Sequence, residues 1–219
     1  MREMRVLLLS GLLTVTACGG DDGDNETAEA EAARLAAEGT ATSGLLAPLR
    51  SLSMAAVEFA DLASQRAGTL EVRQYAQTIA ADHRALIDVL DSVAEARSAT
   101  LTETRETQEM ANTARMAHSG LENLTGAAFD LPFVRAEVES NRLLLDRLEQ
   151  QLIPSATLPD LRTLLTDIQA MADAHLARAR QLLAQQLGQS AEPQTERAPS
   201  PAPPPPQVPP PPPARPLLQ

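Results

Sequence analysis

Apolar side chains recur at helical spacing in four long stretches, and this recurrence leaves few folds open to the chain. Residues 45–66 set Leu45, Leu49, Leu52, Ala56, Phe59 and Ala63 on one stripe. Residues 70–97 set Val72, Tyr75, Ile79, His83, Leu86, Leu90 and Val93 on another. Residues 131–152 do the same with Val134, Val138, Asn141, Leu145, Leu148 and Leu152. Residues 160–187 do so with Leu161, Leu164, Ile168, Met171, His175, Ala179 and Leu182. Ala, Leu, Arg, Glu and Gln fill the remaining positions, and all are good helix formers. Aromatics make up 2% of the chain and β-branched runs are absent, which disfavours a sheet.

Punctuation between the stripes predicts the helix ends. Thr69 is placed to cap the second helix, with Glu71 favourable in its first turn. Asp130 is placed to cap the third, with Pro132 in its first turn. Pro154 and Pro159 bound the last loop, and Gly188 supplies the final cap. Between the second and third helices lies a polar connection, residues 98–129. It carries a helical stretch through Met110 and Met116 that ends at Gly120 or Gly126. Two hairpins joined by one long, partly helical connection predict an all-α, ferritin-like four-helix bundle over residues 45–190. His83 and His175 then fall roughly 20 Å into their helices, near the middle of the bundle.

Both flanks differ from this domain in composition. Residues 1–17 carry Arg2 and Arg5, then an apolar run from Val6 to Leu13, as a secretory signal does. That run is shorter than the roughly 20 residues a membrane-spanning helix needs. It ends in Val15-Thr16-Ala17-Cys18, which resembles the bacterial lipobox, with valine where leucine is usual. The resemblance implies cleavage before Cys18, acylation of its thiol, and membrane lipid as a partner. The alternative is an ordinary cleavage site that leaves a free thiol. Cys18 is the only cysteine, so no disulfide can form within the chain. Gly19 follows it, where an aspartate would favour the inner membrane in enterobacteria, so the expected place is the periplasmic side of the outer membrane. Residues 18–44, acidic and poor in large apolar groups, read as a flexible tether. Residues 191–219 end in a proline tract expected to be extended, either a spacer of roughly 55 Å or a ligand for an envelope protein.

The formal net charge is −11, and all 18 basic residues are arginine. Such a chain is repelled by phosphate backbones, which sets nucleic acid aside as a partner. Phosphate loops, nucleophile elbows and paired-cysteine zinc spacings are missing from the sequence. Arg84 with Asp88 and Arg142 with Asp146 stand four apart, as surface ion pairs do.

What chemistry the bundle carries turns on its two mid-helix histidines. A di-iron ferritin-like centre needs Glu-x-x-His on two helices. Here Ala80 and Ala172 stand three residues before His83 and His175, so that centre is not encoded. Asp82 and Asp173, one and two residues from the histidines, are expected to point elsewhere. Two readings stay open. Glu58, His83, Glu137 and His175 could form a mononuclear transition-metal site. Alternatively His83, Asn141 and His175 form a polar core layer that fixes helix register, with no cofactor. His118, in the connection, is expected to be solvated, and the methionines to be packing.

The stretch from Met54 to Leu183 also resembles a bacterial family, the domain of unknown function 4142. The matching pieces are Val57-Glu58-Phe59 with Leu62-Ala63, Glu71-Val72, Tyr75-Ala76 and Asp82-His83. Gly126-Ala127-Ala128-Phe129-Asp130 and His175-Leu176-Ala177 follow in order. The resemblance implies a ferritin-like helical fold and a periplasmic or outer-membrane place, and no established activity. Where the family often has histidine on the third helix this chain has Asn141, which weakens any metal or proton role there. The sequence thus favours a non-enzymatic envelope lipoprotein, with a metal-binding or redox bundle using His83 and His175 as the alternative.

Overall fold

A computed structural model describes residues 22–191. In order these form α1 (Asp22–Arg66), α2 (Leu70–Ala96), α3 (Arg105–Ser119) and α4 (Ala127–Arg147). A π-helical turn (Leu148–Leu152), the single turn α5 (Ile153–Ser155) and α6 (Pro159–Ala191) follow. There is no strand among the described residues, only an isolated bridge between Ala67 and Gly126. The protein is an all-α four-helix bundle. α1 packs along α2, α4 packs along α6, and α3 lies on α1 and reaches α4. The Gly126 N–H donates to the Arg66 carbonyl at 2.8 Å, so α2 and α4 start at the same end and run the same way. The long connection carrying α3 is what returns the chain to that end.

Apolar burial is split between the two ends of the bundle. At the α1–α2 turn, Phe59, Val72, Tyr75, Ile79, Phe129, Phe133 and Leu182 form one compartment. At the far end Leu46, Leu49, Leu90, Leu148, Leu161 and Leu165 form another. Each such side chain, fully buried, contributes about 1.5–3 kcal/mol, and together they hold the four helices in register. Between the compartments the interior turns polar, with Ser53, His83, Glu137, Asn141 and His175 all buried.

The residues that close the turn end do so differently from the expectation. Thr69 stands at the start of α2 but makes no side-chain cap. Asp130 does not begin the third helix. Gly126 does, at a φ of 62° that favours glycine. Asp130 is fully buried one turn into α4, where its Oδ1 and Oδ2 accept from the Gly68 and Thr69 N–H groups at 2.8 and 2.9 Å. It therefore caps α2 across the interface. A Cβ on Gly68 would lie 2.6 Å from the Ala127 nitrogen, so only glycine fits the approach. Pro132 lies inside α4, beyond its first turn.

Three other expectations change. Residues 22–44 are helical and continuous with α1, not a flexible stretch. Their alanines, glutamates and arginine are strong helix formers, and Arg34 bonds both Glu31 and Glu38 along the helix. The last turns before Leu45 also pack, with Thr42 buried and Ser43 Oγ donating to the Thr100 carbonyl at 2.6 Å. Gly188 does not stop α6, which runs to Ala191 because Gly188 keeps ordinary helical backbone. The third stripe ends in the π turn, where the Ile153 N–H donates to the Leu148 carbonyl. Pro154, next in line, has no N–H to continue the ladder. Arg84 pairs with Asp61 of α1 at 2.5 Å, in place of Asp88 on its own helix. Cys18 and the proline tract lie outside the described residues.

Candidate functional site

The polar layer begins with two imidazoles. His83 on α2 and His175 on α6 face each other at mid-height, their ring centroids 5.7 Å apart. His175 Nε2 lies 2.9 Å from Asp82 Oδ2. A carboxylate oxygen only accepts, so this bond puts a proton on Nε2. Nδ1 of His175 is buried without a partner, as is Nδ1 of His83. The Tyr75 hydroxyl donates to the His175 backbone carbonyl at 3.0 Å and fixes α6 against α2. Asp82 neighbours His83 in sequence, yet it serves the histidine of the other helix. Spacing along α2 gave no sign of this, because the contact depends on where α6 lies.

On the other side of His83, α4 contributes Glu137 and Asn141, one turn apart. The Asn141 amide donates to the Glu137 backbone carbonyl at 2.9 Å and to its Oε2 at 3.3 Å. Burial pushes the Glu137 carboxyl up to about 7, and the Asn141 hydrogen bond offsets this only in part. Burial pushes the His83 imidazole down to about 4, helped by the nearby His175 and opposed by Asp82. The same desolvation pushes the Tyr75 phenol up.

His118 is half-buried, not fully solvated. It sits at the end of α3 and stacks on Phe59 of α1, with ring centroids 3.4 Å apart and planes 14° from parallel. Its Nδ1 is buried without a partner, and burial pushes the ring down to about 4. His83, His118, Glu137 and Asn141 line one small cavity of about 80 Å³, closed by Leu52, Ala56, Ala114, Ser140 and Leu144. The sequence treated α3 as a connection, so its histidine could not be assigned to the interior.

Glu58 does not join this group. It lies on the outer flank of α1 and pairs with Arg115 of α3 at 3.1 Å, both side chains about half exposed. The four residues that the sequence offers for a mononuclear centre are therefore not brought together. Among the described residues no three His, Cys, Asp or Glu side chains are grouped closely enough to hold a metal ion. Nor do they fit a di-iron centre, since the positions one turn before the histidines, Ala80 and Ala172, carry no carboxylate. What the arrangement offers is a set of neutral imidazoles and one high-pKa carboxyl around a space, beside a bonded His–Asp pair.

No helix among the described residues is long and apolar enough to cross a membrane. No curated protein and no solved structure matches the chain. The family model described as "Domain of unknown function (DUF4142)" matches residues 24–182, from the first turn of α1 to the last buried leucine of α6. The chain belongs to the DUF4142 family.

Proposed function

We propose that the protein is an exported bacterial lipoprotein, held through acylated Cys18 at the periplasmic face of the outer membrane. Its bundle serves there as a non-enzymatic interaction and structural module. The observation that carries this is Val15-Thr16-Ala17-Cys18 at the end of an apolar run headed by Arg2 and Arg5. From Asp22 to Glu38, α1 runs ahead of its first buried turn, with the side chains of residues 26–37 in solvent. At 1.5 Å per residue that segment holds the bundle roughly 25 Å from its anchor. Several acyl chains on one cysteine, at about 0.8 kcal/mol for each buried methylene, suffice for stable attachment. Fractionation of cells making the wild type or Cys18→Ser tests this. The wild type is expected in the membrane pellet and the variant in the soluble periplasm. Equal partition of the two would remove the anchor.

A second reading, a metal-binding or redox bundle, draws on the two buried imidazoles 5.7 Å apart, each with a partnerless Nδ1. Zinc, copper or nickel would then raise the melting temperature of the wild type and not of His83→Ala/His175→Ala. No rise in either protein excludes it.

A further inference from the structure

The cavity beside His83 is the inner end of a longer compartment. Leu52, Ala114, Ser140 and Leu144 line both this cavity and a cleft of about 400 Å³ between α3 and α4. The cleft is walled by Leu52, Met110, Ala114, Leu143 and Leu144, and half-exposed Leu143 stands at its mouth. Its size is that of a small-molecule pocket, mostly apolar with polar groups gathered at one end. Glu109 and Arg147 at the rim leave the entrance near neutral.

The inner end is chemically one-sided. Glu137 brings a carboxyl group. Asn141 commits its amide N–H groups to Glu137, so what it has left to offer is its oxygen. His83 and His118 are both held neutral by burial, and a neutral imidazole keeps one acceptor nitrogen. Each has a buried Nδ1 without a partner. No arginine lines this end. The acceptors line a space of about 80 Å³, and among the described residues no three His, Cys, Asp or Glu are grouped as metal ligands. A polyatomic cation with several N–H donors matches such a space better than a bare ion. A carboxylate or phosphate head would meet Glu137 with like charge.

We propose that this compartment binds a small amphiphilic primary amine, its ammonium group seated among Glu137, His83, His118 and Asn141 and its apolar body in the cleft under α3. A primary ammonium has three donors, enough for the Glu137 carboxylate and two of the neutral acceptors. The cleft supplies affinity through area, and the inner end supplies orientation. α3 completes the site, since Ala114 lines both parts and His118 closes the inner one.

The test is calorimetric titration of the full chain at pH 8, where Glu137 is ionised, with n-octylammonium chloride below its micelle concentration, beside n-butylammonium, octanoate and zinc chloride. Octylammonium is expected to bind at one equivalent. Affinity should rise about fourfold per added methylene from butyl to octyl, the factor that about 0.8 kcal/mol per methylene implies. Octanoate should not bind. Glu137→Gln, which keeps shape and removes the charge, should weaken octylammonium at least tenfold. Ala114→Leu, a good helix former that fills the neck, should abolish binding while the protein stays folded by circular dichroism. Absent saturable binding of octylammonium, equal binding of octanoate, or two folded variants that bind like the wild type would each overturn the proposal. So would one equivalent of zinc lost in Glu137→Gln with no octylammonium bound, which would make the cavity a metal centre.

Discussion

His175 and Asp82 are joined across α6 and α2 by a bond of 2.9 Å between Nε2 and Oδ2. The histidine end is buried and the carboxylate end about half exposed. Since Nδ1 of His175 already lacks a partner, the ring depends on Asp82 for its side-chain hydrogen bond. Asp82→Ala should therefore destabilise the protein by about 1–2 kcal/mol, the cost of leaving a buried donor unsatisfied. Asp82→Asn, which still offers an oxygen, should cost less. Urea unfolding checks this, with a lower midpoint and an unchanged slope.

At the turn end, fully buried Asp130 accepts from both the Gly68 and the Thr69 N–H across the α2–α4 junction, Gly68 lying at the surface and Thr69 half-buried. Asp130→Ala strands two donors at once and should cost on the order of 2–4 kcal/mol. Gly68→Ala should be at least as damaging, because the added methyl group meets backbone atoms that cannot give way. Thermal melts of the two variants check this. A melting temperature within two or three degrees of the wild type for either would mean that the junction is looser than described.

Glu137 makes stability depend on pH. Its folded pKa is about 7 against an ordinary 4.5, so the folded state holds a proton that the unfolded state has released between those values. Its contribution therefore turns against folding as pH rises from 4.5 to 7, and the penalty is complete above 7. His83 and His118 act in the opposite sense. Both are pushed from 6.5 to about 4, so they favour unfolding as pH falls through that window. The groups around Glu137 are His83 and Tyr75 on α2, His118 on α3 and, behind His83, His175 on α6. On α1, Glu58 is turned outward to Arg115. Glu137→Gln should accordingly gain on the order of 2–3 kcal/mol over the wild type at pH 8 and nothing near pH 4.5. Denaturation midpoints at the two pH values check this, and a gain that does not change with pH would assign it to packing.

The leading part of α1 should be separable from the bundle in stability. Ala33 is exposed, in the segment before the first buried turn. Ala33→Pro removes a backbone donor and breaks the local helix, at roughly 3 kcal/mol within that segment. It should lower the far-ultraviolet helical signal and leave the urea midpoint of the bundle in place.

The sequence predicted much of this fold, and the misses have physical causes. The four stripes were legible because each helix buries one face, and the positions of His83, Asn141 and His175 followed from the same period. Composition misled at residues 22–44, where acidity suggested disorder while alanine, Glu31, Arg34 and Glu38 favoured helix. Asp130 looked like a cap for its own helix, and only tertiary packing shows that it caps another. The inner cavity was half legible: Glu137, read as a candidate metal ligand at mid-height, is buried there, whereas His118 and the covering role of α3 depend on a crossing that no periodicity encodes. Glu58 stood at the right height on the wrong face.

Lipidation of Cys18 is tested most directly by intact-mass measurement of the chain recovered from the membrane fraction. The predicted species begins at Cys18 and carries the added mass of a diacylglyceryl group, with or without a third acyl chain, and Cys18→Ser yields no such species. A wild-type chain that begins at Met1, or begins at Cys18 with an unmodified thiol, would contradict it.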